Sequence, residues 1–156
     1  MILPTRFLTM FFGALLSCIS SSSVAETAIK VHDAWIREGP PTATVLAAYL
    51  DIENQTNTTL KLIGADSPSF ERIEIHRTGM ENGIARMHPQ KVITLSPLSR
   101  MVFSPGDYHL MLIGPKGPLR AGATVELELQ FEDGSTYALT VIVRTALAHD
   151  PYQHKY

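Results

Sequence analysis

Short apolar runs, each closed by a turn signal, constrain this chain more than any other feature of its sequence. Ala47 to Ile52 is one such run, closed by Glu53-Asn54-Gln55-Thr56-Asn57, and Leu60 to Gly64 is another. Arg72-Ile73-Glu74-Ile75-His76 alternates strictly, which sets Ile73 and Ile75 on one face of a strand and Glu74 and His76 on the other. Val92 to Leu95, Met101 to Phe103, His109 to Ile113, Thr124 to Leu129 and Tyr137 to Val143 complete the series. Pro40-Pro41, Ser104-Pro105-Gly106-Asp107, Gly114 to Pro118 and Glu132 to Ser135 punctuate it. Beyond the first 25 residues, no stretch keeps a helical period for ten residues or more. Strands at this spacing predict an all-β sandwich or barrel. One hairpin is placed by its turn. Asn82-Gly83 is the strongest two-residue hairpin signal, and it folds Ile84 to His88 back on a strand ending near Thr78.

The N-terminus reads differently. Arg6 precedes a 13-residue uncharged stretch, Phe7 to Ile19, too short to span a bilayer. Ser23-Val24-Ala25 then offers small residues at the −3 and −1 positions of a cleavage site. Residues 1–25 are expected to be a secretory signal, residues 26–148 a single β-domain, and residues 149–156 a short polar tail. Leu15-Leu16-Ser17-Cys18 weakly matches a lipid-attachment motif, which makes Cys18 an alternative anchor. The expected location is the periplasm. Cys18 is the chain's single cysteine, so cleavage after Ala25 leaves none. That excludes a disulfide framework and a thiolate metal cluster. A formal net charge of −2 provides no footprint for nucleic acid.

Imidazole and thioether are the remaining chemistry. His109 and Met111 are two apart, so they share one face of a strand whose other face carries Leu110 and Leu112. His76 lies opposite Ile73 and Ile75, and the Asn82-Gly83 turn returns Met87 toward it. Two imidazoles and two thioethers thus converge. Soft, neutral thioether with borderline imidazole favours Cu(I) over zinc, magnesium or calcium. Other residues read as structural. Met101 alternates with Phe103 and is expected in the core, Trp35 and Tyr49 are expected in core or edge packing, and Glu71 and Glu74 are expected on a solvated face.

His76, ten residues, Met87, twenty-one residues, His109, one residue, Met111 forms the H-x10-M-x21-H-x-M pattern. With six His and six Met in the chain, that register arises by chance in roughly one shuffled sequence in several thousand. The pattern resembles that of the periplasmic copper chaperones called PCu(A)C. The resemblance covers about residues 29–144. Asp33 to Arg37, Ala47 to Leu50, Met80 to Gly83, Gly106 to Met111 and Phe131 to Ser135 also carry it. It implies a cupredoxin-like Greek-key β-sandwich, Cu(I) bound by His76, Met87, His109 and Met111, and delivery to the Cu(A) centre of cytochrome c oxidase or to an assembly factor for it. A monomer without a catalytic residue is expected. Many relatives have Met where this chain has Thr78, and Met80 is a candidate for an exchange role. His149 and His154 are candidates for a second, weaker copper site.

Competing readings are a copper-sequestering protein without a delivery partner, an electron-transfer cupredoxin and a metal-free binding sandwich. The second needs a Cys thiolate that cleavage would remove. An enzyme is not expected, because no nucleophile–base set, paired carboxylates, phosphate loop or His-Glu-x-x-His stands in recognisable context. Copper affinity is expected to weaken below about pH 6, where protons compete for imidazole.

Overall fold

The computed structural model describes residues 28–145, and the expected signal segment, Cys18, His149 and His154 lie outside them. Ten strands and no helix make up the described chain. They are β1 (Ile29–Arg37), β2 (Val45–Asn54), β3 (Leu60–Asp66), β4 (Arg72–Glu81), β5 (Ile84–Pro89), β6 (Ile93–Leu95), β7 (Arg100–Phe103), β8 (Tyr108–Ile113), β9 (Thr124–Phe131) and β10 (Thr136–Arg144). The all-β expectation holds.

Hydrogen bonding runs unbroken through the order β5-β4-β8-β2-β1-β10-β9-β3-β6, with β7 also paired to β2. All pairs are antiparallel except β1 with β10. The ten-residue β2 joins the halves of the molecule, because Val45–Ala48 pairs with β8 and Leu50–Glu53 pairs with β7. The sheet curls until β3 and β4, distant in the hydrogen-bonding order, touch. Alternation along the strands places one apolar face inside the curl. Ile36, Ile52, Leu62, Leu110, Leu112 and Leu129 are wholly buried there. Met101 packs against the core beside Phe103, as its alternation predicts.

The strand pattern missed β1, a central strand. Its alternation is broken by a bulge between His32 and Trp35, where Asp33 takes a φ of 45°. Past the bulge, consecutive Trp35 and Ile36 are both buried, on opposite faces of the sheet. A second difference is length, since β4 continues past Thr78 to Glu81.

Asn54 is the one wholly buried polar side chain among the largest buried residues. Its amide donates to the carbonyls of Thr58, Leu95 and Ser96, and its oxygen accepts from the Thr56 amide and hydroxyl. Asn54→Ala removes all five of these hydrogen bonds at the edge of the core. A loss of about 2 kcal/mol in urea unfolding is expected, and an unchanged midpoint would refute this role for Asn54.

Candidate metal centre

Three strands at one end of the sheet present the four candidate residues. In the β4–β8 ladder His76 stands directly opposite His109, and Glu74 opposite Met111. Paired residues share a face, so His76, His109 and Met111 lie together on the side away from Leu110 and Leu112. The two imidazole centroids are 6.0 Å apart. In the β4–β5 ladder Met87 stands opposite Thr78, diagonal to His76 on that same face. Asn82 and Gly83, with φ of 51° and 78°, form the two-residue turn that the sequence predicts, and Glu81 pairs with Ile84 across it. The structure therefore brings all four predicted residues to one face.

Their environments differ. His76 is 8% and His109 5% exposed, Met111 is half-buried, and Met87 is 61% exposed. Met87, His109 and Met111 border an open concavity of about 370 Å³, walled also by Arg37, Val45 and Ala47. His109 forms a buried part of its floor and Met87 an exposed rim, while His76 is buried beside His109 and does not border it.

The histidine side chains have defined partners. The backbone carbonyl of Asp107 accepts from His109 Nδ1–H at 3.1 Å and from the Thr78 amide at 3.2 Å. Nδ1 thus carries the proton and Nε2 the lone pair. The Ser104–Asp107 turn, with Gly106 at a φ of 87°, sets that carbonyl in place. His76 Nε2 lies 2.9 Å from Glu74 Oε2, and Arg72 Nε donates to Glu74 Oε1 at 2.9 Å. His76 Nδ1 is buried with no hydrogen-bonding partner. A buried imidazole nitrogen without a partner is costly unless something electron-poor meets it.

Glu74 keeps 39% of its side chain exposed on the solvated face where the sequence reading placed it, and there it also takes His76 and Arg72 as partners. The His76 hydrogen bond, reinforced by Arg72, holds its carboxyl below the usual carboxylate range. Trp35 and Tyr49 are buried outside the main core, on the His109 face of the sheet, within the core or edge packing expected of them. Their rings lie 4.8 Å apart, and Tyr49 lies 6.5 Å from His109, extending the imidazole pair into a four-ring row. Only the order β4-β8-β2-β1 produces that row. Met80 shares the Met87 face further out along the hairpin and is 70% exposed. His32 and His88 are engaged elsewhere, with Glu53 and Glu81, each at 2.9 Å.

Among the described residues, no three His, Cys, Asp or Glu side chains are grouped to hold a metal. A metal on this face would therefore draw on thioether. Two neutral imidazoles and two thioethers, with no carboxylate in the inner set, fit a soft monovalent ion. Burial pushes the His109 pKa below its ordinary value, and the neighbouring His76 adds to that, against the Asp107 carbonyl. With a folded pKa below the unfolded one, apo stability has no penalty above about pH 6.5 and declines as pH falls below it. Thermal melts of wild type and His109→Gln between pH 7.5 and 5 should show a steeper decline for wild type. Parallel curves would refute the shift.

Fold and site together define an all-β cupredoxin-like domain with a His/Met face. The family model "Putative lipoprotein LpqE-like" matches residues 29–143. The chain belongs to this family. It is 33% identical over 117 residues to "Putative lipoprotein Lxx21020" of Leifsonia xyli subsp. xyli, covering 74% of this chain and 69% of that one. Among solved structures it is similar to the apo PCuAC domain of PmoF2, with 25% identity, a TM-score of 0.64, and 78% of this chain and 93% of that one covered. It is similar also to the Cu(I) form of DR1885 from Deinococcus radiodurans, with 26% identity, a TM-score of 0.60, and coverage of 81% and 85%. The PCu(A)C resemblance and the cupredoxin-like fold are thereby established.

Proposed function

We propose that this chain is an exported carrier of Cu(I), holding the ion with His76, Met87, His109 and Met111. The observation that carries this reading is the convergence of two imidazoles and two thioethers on one face, with a buried His76 Nδ1 that has no hydrogen-bond partner. Copper in the similar DR1885 structure supports it, as does the soft donor set. Export of residues 26–156 after removal of residues 1–25 belongs to the same reading, and the lipoprotein name of the Leifsonia relative supports export.

The acceptor is the Cu(A) centre of cytochrome c oxidase or an assembly factor for it. The exposed rim suits such transfer. Met87 departs first and is replaced by a donor from the acceptor, while the two buried histidines hold the ion until a second acceptor donor arrives. No catalytic step is part of this function.

An anaerobic Cu(I) competition titration of residues 26–156, wild type beside Met111→Ala, tests the site. One equivalent bound tightly, with at least a tenfold loss in the variant, is expected from removal of a direct ligand. No binding, or binding indifferent to Met111, would overturn the reading. Deletion of the gene separates delivery from sequestration: delivery predicts loss of oxidase assembly at low copper, sequestration only copper sensitivity.

A further inference from the structure

We propose that Glu74 is a positioning residue that locks His76 in its Nε2–H tautomer, so that His76 binds copper through Nδ1 while His109 binds through Nε2. The proposal rests on the copper reading above and assigns a role to a residue outside the His/Met pattern.

An ionised carboxylate only accepts hydrogen bonds. At 2.9 Å from Glu74 Oε2, His76 Nε2 must therefore be the protonated nitrogen. Arg72 Nε occupies the other carboxylate oxygen, which aims the group and keeps it ionised. The reverse tautomer would turn a lone pair toward the carboxylate and leave a buried N–H at Nδ1 with no acceptor. Both faults point the same way, so the ring has one favoured state. That state leaves its basic lone pair at the buried nitrogen without a protein partner. A carboxylate accepting from the distal N–H also raises the basicity of the ligating nitrogen.

His109 has the opposite arrangement. Its Nδ1–H is held by the Asp107 carbonyl, which leaves Nε2 for the metal. The two histidines face each other across one antiparallel ladder, yet a side-chain acceptor fixes one and a main-chain acceptor fixes the other. Mutation reaches only the first without altering the backbone.

Long-range ¹H–¹⁵N correlation spectra of the copper-free protein at pH 7.5 read the tautomer directly. Wild type should show His76 protonated at Nε2. Glu74→Leu should show a mixture of tautomers and a Cu(I) affinity lower by about 10- to 100-fold, with the protein still folded at the temperature of measurement. Glu74→Gln keeps an acceptor oxygen and should remain within about threefold of wild type. A protonated Nδ1 in wild type, or a Glu74→Leu variant with unchanged tautomer and affinity, would overturn the proposal while leaving the copper reading intact. If wild type bound no Cu(I), the copper reading would fall, and the Glu74→Leu spectrum alone would decide whether Glu74 sets the tautomer.

Discussion

Leu110→Ala should cost about 3–4 kcal/mol and lower the melting temperature by roughly 10–15 °C, which makes it among the most damaging single changes in the domain. Leu110 is wholly buried and lies between His109 and Met111 in sequence. It pairs with Ala48 on one side and Ile75 on the other, and all three belong to the core. Removing three carbons from a close-packed centre loses their transfer free energy and leaves a cavity that a sheet hydrogen-bonded on both sides closes poorly. Copper affinity of the fraction that stays folded should change little. Calorimetry of the apo variant checks the first claim and Cu(I) competition below its melting temperature the second. A mild thermal effect with a large loss of copper would mean that the two faces of β8 had been assigned the wrong way round.

The mirror-image result is expected one residue earlier. His109→Ala should melt within a few degrees of wild type yet lose more than 100-fold in Cu(I) affinity. Loss of a group that merely orients a ligand weakens metal binding by about 10- to 100-fold, and removal of the ligand itself should exceed that. Its ring packs beside Tyr49 and His76, outside the main core, so its removal leaves the apolar interior intact. Combining it with His76→Ala should abolish measurable competition and leave the two thioethers with weak binding only. Retention of tight binding in the double variant would place the ion elsewhere on the molecule.

These opposed expectations for adjacent residues rest on the period-two geometry of a strand, and that geometry was readable from sequence. Alternation in Arg72–His76 and His109–Leu112 assigned each side chain to its face, and Asn82-Gly83 fixed the hairpin. What escaped had non-local or irregular causes. β1 was missed because the bulge at Asp33 interrupts its alternation. The four-ring row needs β4, β8, β2 and β1 to be neighbours, and three of these adjacencies join strands distant in the chain or depend on the unrecognised β1. The partners of Glu74 escaped for a subtler reason. A glutamate on the polar face of a strand looks merely solvated until its i+2 neighbour is known to be buried with one nitrogen to satisfy. Local pattern shows which face a residue occupies, whereas its partners depend on the assembled sheet.

The β4–β5 hairpin sets a rule for how this lineage can drift. Every residue of β5 is exposed, so no buried side chain fixes its alignment with β4. The two-residue turn alone decides which residues of β5 face His76. A single residue inserted between Asn82 and Gly83, if absorbed as a shift in pairing, would turn Met87 outward and bring His88 or Arg86 inward. Two inserted residues would restore the original parity. Tolerated length variation at this tip should therefore fall in even steps, and an odd step should survive only alongside a compensating bulge. Counting residues in that one loop would then tell which related chains have kept their thioether and which have exchanged it for a charge.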